Sequence, residues 1–204
     1  MKRILVAYAT FSGSTVEVAH ALGEEIARHG VQVDILPLRE VTGLETYDGV
    51  VVGAPMIMGW HRDAQGFLKK NRKALQRIPL AAFVTAMSLT QTGETSIGGV
   101  PVHVDESLPK PPAKAGRLSF KERYARLSNY VQPILGAARP AKPVSIGVLG
   151  GRLEYGRLKW WAVLFVMLVI QAPAGERRNW AAIRTWAAEL PAAFHIETTK
   201  AAGL

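Results

Sequence analysis

Thr10, Phe11, Ser12, Gly13, Ser14 and Thr15 set four hydroxyls around one glycine. An apolar run (Ile4, Leu5, Val6, Ala7, Tyr8) comes directly before them and a helix-like pattern directly after. The chemistry this cluster offers is anion binding. A loop between the carboxyl end of a strand and a helix N-terminus gathers unpaired N–H groups and the positive end of the helix dipole at one point. Small hydroxyls add donors, and a glycine lets the backbone approach closely. A phosphate suits such a site. The loop has no Gly-Lys-Ser/Thr sequence to reach a nucleoside triphosphate, and it lacks the three-glycine dinucleotide fingerprint. The hexapeptide alone also reads as a plain Ser/Thr-rich turn, with Ser14 or Thr15 near a helix cap.

Other chemistry is thinly represented. No cysteine is present among the 204 residues, which excludes disulfides, thiolate-ligated metal and thiol catalysis. His20, His29, His61, His103 and His195 show no metal-ligand spacing, so no metal and no catalytic side-chain cluster is expected. The net charge of +9 lies entirely in residues 106–204, which hold 15 Lys/Arg against 6 Asp/Glu. A basic surface attracts nucleic acid, anionic lipid or acidic partners, or is simply solvated. No zinc-finger, RNA-motif or basic-helix signature accompanies the charge, so no specific nucleic acid is expected. Met1-Lys2-Arg3 runs straight into a strand-like segment with no signal-peptide core. The expected location is the cytoplasm.

The elements that would position the loop follow from periodicity. Arg3–Tyr8, Val31–Leu38, Tyr47–Gly53, Leu80–Met87 and Pro143–Leu149 read as strands. Thr15–His29, Ala64–Ile78 and Glu176–Phe194 read as amphipathic helices. Strands alternating with helices predict an α/β fold, a parallel sheet covered on both faces, in one domain over residues 1–204. Ser88–Gly116 has no period and reads as a loop insertion. Trp160–Ile170 has no polar side chain. As a helix of 11 residues it would span roughly 16 Å, too short to cross a bilayer core of about 30 Å. The cations and tryptophans beside it suit a lipid interface, which makes residues 157–175 a candidate contact with an anionic membrane surface. A buried core helix and a homo-oligomer face are the alternatives.

The loop Thr10–Thr15 resembles the FMN-phosphate loop of flavodoxins. The stretch YDGVVVGAPMIMGWH is similar to that family's third strand and second flavin loop, and the chain fits a doubly wound, five-stranded flavodoxin-like order. The segments RYARLSNY (Arg123–Tyr130) and GVLGGRLEYGRLKWW, with GERRNW, resemble the flavodoxin-like protoporphyrinogen oxidases that pass electrons to quinones. The likeness covers nearly the whole chain except Ser88–Arg117. It implies that FMN is the cofactor and that the loop Thr10, Phe11, Ser12, Gly13, Ser14 and Thr15 holds its phosphate. It further implies that Pro55, Met56, Ile57, Met58, Gly59 and Trp60 flank the isoalloxazine on one side, with Trp60 stacked on it. Met87, Ser88, Leu89 and Thr90 flank it on the other. His61 would stand at the edge of the second loop.

The resemblance implies a flavin oxidoreductase that moves electrons from a small reduced substrate, a porphyrinogen first among them, to a quinone. A lipid-dissolved quinone makes a peripheral place on the inner face of the cytoplasmic membrane the matching expectation. A flavodoxin-type electron carrier and a flavin-free membrane-associated interaction module are the alternatives.

Overall fold

The computed structural model describes residues 1–11, 13–57, 59–90, 93–114, 116–153 and 175–196. Ser12, Met58 and the apolar run Trp160–Ile170 lie outside the described residues. The elements are β1 (Arg3–Tyr8), α1 (Ser14–Ala27), β2 (Gln32–Pro37), β3 (Gly49–Pro55), α2 (Arg62–Lys70), β4 (Leu80–Ala86), β5 (Leu89–Thr90), β6 (Ser96–Ile97), β7 (Val100–Val104), β8 (Pro109–Lys110), α3 (Phe120–Tyr124), α4 (Leu127–Ala138), β9 (Ser145–Gly150), β10 (Arg152–Leu153), β11 (Gly175–Glu176) and α5 (Trp180–Ala193).

The main sheet runs β2-β1-β3-β4-β9-β7-β6. Its first six strands are mutually parallel, and β6 is antiparallel to β7. Successive side chains of a strand face opposite ways, and the central strands bury both faces. Ile4 and Val6 join Leu22, Ile26, Trp186 and Leu190 from α1 and α5. Leu5 and Ala7 join Leu68, Leu127 and Ile134 from α2 and α4. That two-sided burial is why β1, β3 and β4 read as continuous apolar runs rather than alternating ones. The fold is α/β and flavodoxin-like, with the five expected strands all present in it.

The insertion carries more order than a loop reading anticipates. Val100, Val102 and Val104 alternate, and β7 pairs along β9, Val102 opposite Ile146 and Val104 opposite Val148. The extra strand covers an edge that would otherwise present unpaired N–H and C=O groups. Its alternation is only five residues long and sits between Gly98-Gly99 and Asp105, so no period emerges in a longer window. Two more boundaries move. The helix read over 64–78 ends at Lys70, where the Asn71 side-chain amide donates to the Phe67 carbonyl at 2.9 Å. Helix α4 carries Pro133 in its interior, a residue that argues against a helix when read locally. Burial of Leu127, Tyr130, Val131 and Ile134 against the sheet overrides that signal.

Asp105, fully buried at the end of β7, fastens the insertion to the sheet. Its carboxylate accepts from Gly150 N (3.1 Å), Ser107 N (3.0 Å), Ser107 Oγ (2.8 Å) and Asn179 Nδ2 (3.2 Å). Asn179 also caps α5 through the Ala182 N–H. One carboxylate thus fixes where β9 ends and where the last helix begins.

Candidate functional site

The parallel strands deliver β1, β3, β4 and β9 to one edge of the sheet with their carboxyl ends together. In such a sheet the connections after β1 and β3 leave on opposite faces, and the crevice between them is where open α/β sheets bind ligands. A cleft open to solvent lies there.

Its polar end is the Thr10–Thr15 loop. Gly13, and not Ser14 or Thr15, precedes the first turn of α1, with φ 91°. The turn takes its shape from that left-handed residue, and the hydroxyls are used differently. Thr10 Oγ1 accepts the Gly13 N–H at 2.8 Å, and Ser14 Oγ accepts the Arg152 N–H at 2.8 Å. Each hydroxyl therefore spends a lone pair on the backbone and keeps its own hydrogen to donate. Thr15 Oγ1 lies 3.2 Å from Thr85 Oγ1, tying the loop to the end of β4. Of the first N–H groups of α1, that of Val16 bonds the Gly13 carbonyl at 3.1 Å, while those of Ser14 and Thr15 have no acceptor within the helix, as at any helix start.

The rest of the wall is apolar and aromatic. Phe11, Pro55, Met56 and Ile57 line one side, and Ala86, Met87 and Ser88 the other. The segment that follows the insertion, α3 and the start of α4, closes the third side with Lys121, Tyr124, Ala125 and Tyr130. The Tyr130 phenol donates to the Ser88 carbonyl at 2.7 Å, and burial raises its pKa above the ordinary tyrosine range. Gly151, Arg152 and Leu153 complete the cleft. They are held by the Gly151 N–H to Ala86 O (2.8 Å) and the Arg177 N–H to Gly151 O (2.9 Å). Among the described residues, the charged side chains on the wall are Lys121 and Arg152, both cationic. Arg152 also lies 3.5 Å from Glu17, and Glu17 in turn pairs with Arg178 at 2.6 Å.

Most of the residues anticipated from the sequence come together here: Thr10, Phe11, Ser14, Thr15, Pro55, Met56, Ile57, Met87 and Ser88 all line the cleft. Gly13 shapes the loop from behind. Leu89, Thr90 and Trp60 do not reach the wall. Thr90 anchors α3, its hydroxyl donating to Glu122 O (2.8 Å) and its N–H to Ala125 O (2.9 Å). Trp60 is 1% exposed and packed in the core, its indole N–H 3.4 Å from the Phe83 carbonyl. A large ring next to a sheet gains more from burial than from standing at a solvent-open rim. Thr85, Ala86 and the groups from α3, α4 and β10 were not legible as site residues. Arg123–Tyr130 and Gly147–Trp161 carried the family resemblance, which was the one signal that pointed to them.

His61 stands outside the cleft wall and caps α2, its Nδ1 accepting the Asp63 N–H at 3.2 Å. Its ring lies 4.3 Å from that of Phe11. Burial holds the imidazole pKa below its ordinary value, opposed in part by the Asp63 carboxylate. The neutral form is the one that caps. As pH falls through about 6.5 the unfolded chain binds a proton that the folded chain resists, so stability declines. The melting temperature of His61→Asn, which keeps a capping side chain, should vary less with pH below 6.5 than that of the parent. Equal slopes in calorimetry would show that His61 contributes nothing to the acid sensitivity.

A family model described as the flavodoxin domain matches residues 5–179. The chain belongs to the flavodoxin domain family. Among curated proteins this flavodoxin-family chain is 23% identical over 177 residues to protoporphyrinogen IX dehydrogenase [quinone] of Escherichia coli K12, covering 85% of this chain and 82% of that one. Among solved structures, a cysteine-to-serine variant of the Pseudomonas aeruginosa flavodoxin aligns at TM-score 0.46 and 13% identity, over 95% of this chain and 99% of that one. A Fusobacterium nucleatum flavodoxin bound to flavin mononucleotide aligns at TM-score 0.30 and 19% identity, over 42% of this chain and 52% of that one.

Proposed function

We propose that this flavodoxin-family chain binds FMN in the cleft and is an oxidoreductase that takes electrons from a reduced organic substrate, a porphyrinogen being the first candidate, and delivers them to a quinone. The cleft's composition carries the reading. One end offers hydroxyl and helix N-terminal donors with no carboxylate on the wall among the described residues, which suits a phosphate. The remainder is apolar and aromatic, which suits a planar ring system. Thr10, Gly13, Ser14 and Thr15 would hold the phosphate, with Phe11 and Ser12 completing that loop. Pro55, Met56 and Ile57 would flank one side of the ring and Met87 and Ser88 the other, with Met58 in the same second loop. Bound FMN supplies the redox chemistry; the protein supplies placement and electrostatics. Lys121 and Arg152 favour negative charge in the cleft, so they assist both phosphate binding and an anionic substrate.

The 23% identity to a quinone-linked enzyme supports the acceptor. Strands β10 and β11 pair antiparallel, Arg152 opposite Glu176 and Leu153 opposite Gly175, and Arg152 and Leu153 line the cleft. The apolar run Trp160–Ile170, meeting an anionic membrane, would bring the protein to the phase where quinones dissolve. Residues 1–204 form one domain on this reading, with 88–117 as its insertion. Among the described residues no helix is long and apolar enough to cross a membrane.

The test is to titrate the apoprotein with FMN, reduce the holoprotein chemically without oxygen, and mix it with a water-soluble quinone or with quinone in anionic vesicles. Reoxidation within seconds is expected, faster with vesicles at low salt than at high salt, because screening weakens surface attraction. A flavin that stays reduced for minutes with quinone, yet is oxidised at once by a cytochrome, would replace this reading with the electron-carrier one.

A further inference from the structure

We infer that Arg178, a residue outside the cleft wall, sets the charge at the cleft's phosphate end: it occupies the Glu17 carboxylate, so that the Arg152 guanidinium serves the bound anion. This rests on the FMN reading and names the cation that meets the phosphate. Arg152 lines the cleft and is tied to the phosphate loop itself, its N–H donating to Ser14 Oγ at 2.8 Å. Glu17 is the acidic residue in the first turn of α1. A carboxylate there repels a phosphate held at the same helix start and competes with it for Arg152. The two oxygens of Glu17 are divided between two arginines. Oε2 accepts from Arg178 Nη1 at 2.6 Å, and Oε1 lies 3.5 Å from Arg152 Nη2. The shorter contact is the stronger claim on Glu17, so Arg152 is the member of the pair that a ligand anion can take over.

Arg178 is held as a fixed counter-charge. Its side chain is 4% exposed. Nε and Nη2 donate to Glu176 Oε1 and Oε2 at 2.5 Å each, a bidentate pairing that fixes the plane of the guanidinium. The Arg178 N–H also donates to Glu176 Oε1 at 3.0 Å, and the guanidinium lies over the Trp180 ring, 4.7 Å from its centre. With that face and edge occupied, Nη1 is the group that reaches Glu17. Glu176 stands opposite Arg152 in the β10–β11 pair, so the four charged residues form one cluster beside the loop. Two arginines balance two carboxylates in it. Removing Arg178 would leave one negative charge in excess next to the phosphate site, and Glu17 would draw Arg152 to itself. Arg178 is therefore a positioning residue, acting on the anion through Glu17 and Arg152.

The experiment measures Kd for FMN and for riboflavin, which carries the same ring without the phosphate, at low and at high salt. The proteins are the parent, Arg152→Met, Arg178→Met, Glu17→Gln and the Arg178→Met/Glu17→Gln double variant. Arg152→Met should weaken FMN about tenfold, the loss of one charge-assisted contact, and leave riboflavin as in the parent. Arg178→Met should weaken FMN about fivefold at low salt and less at high salt, because screening reduces the repulsion, again with riboflavin unchanged. Adding Glu17→Gln to Arg178→Met should restore the parental affinity, and Glu17→Gln alone should tighten FMN about threefold. Equal losses for FMN and riboflavin, no restoration by Glu17→Gln, or parental FMN affinity in Arg152→Met would overturn this inference while leaving a flavin in the cleft. So would a parent that binds the two flavins equally. A parent that binds neither would remove the site reading and this inference together. If Arg178→Met shows no cooperative melt, Glu17→Gln decides: tighter FMN binding supports the inference, and parental or weaker binding overturns it.

Discussion

Gly13→Val should abolish FMN binding, with affinity lowered on the order of 100-fold or more, while the protein still folds. Gly13 holds φ 91° immediately before α1. An L residue in the left-handed region costs roughly 1–2 kcal/mol, and a β-branched one is worse placed still. The loop would relieve the strain by leaving that conformation. The Gly13 N–H would then part from Thr10 Oγ1, which it meets at 2.8 Å. The donors around the phosphate would no longer converge, and every 1.4 kcal/mol lost is a factor of ten. The strain is local to a surface loop, so the melting temperature should fall by only about 2–8 °C. Isothermal titration with FMN, beside a thermal melt, checks both parts. Binding as tight as the parent's would show that the loop is an ordinary turn and the phosphate lies elsewhere.

Asp105→Ala should cost more stability than any loop change, about 3 kcal/mol or more, and weaken FMN binding indirectly. The substitution leaves the Gly150 N–H buried without an acceptor and frees Ser107 and Asn179 from the carboxylate that accepts from them. Each orphaned buried donor costs about 1–3 kcal/mol. For a chain of this size that corresponds to a fall of roughly 6–12 °C in melting temperature. The end of β9 has no slack to compensate. A Cβ on Gly150 would meet the Arg177 carbonyl oxygen at 1.8 Å and the Asp105 carboxylate at 3.0 Å. Since Gly150 leads directly into Gly151, Arg152 and Leu153, a loosened strand end disturbs the cleft wall. Asp105→Asn keeps one acceptor oxygen and should fall between the two. A melting temperature within 2 °C of the parent's for Asp105→Ala would mean that the insertion is held by β7 pairing alone.

Five strands of the sheet and the hydroxyl loop were legible in the sequence, while β6 and β7 were not. Runs such as Ile4–Tyr8 and Val50–Val52 are buried on both faces, and two-sided burial leaves a composition that can be read without any knowledge of partners. The hydroxyl loop was legible for a similar reason: its elements are adjacent in sequence, and a strand-to-helix turn is a local event. The family resemblance rests on the same local motifs. The far wall of the cleft was decided by tertiary structure. Tyr124, Tyr130 and Arg152 come from segments with no local signal of ligand contact, and they meet Thr10 and Ser14 only because β9 lies beside β4 and Ser14 Oγ reaches the Arg152 N–H across 138 positions of sequence. Asp105 reads in sequence as one more acidic loop residue, although it is wholly buried. Trp60 shows the converse. Its place in the second loop suggested a ring-stacking role, but whether an indole turns outward or into the core depends on the space left among the residues packed on that face of the sheet, and that space exists only once the whole chain has folded.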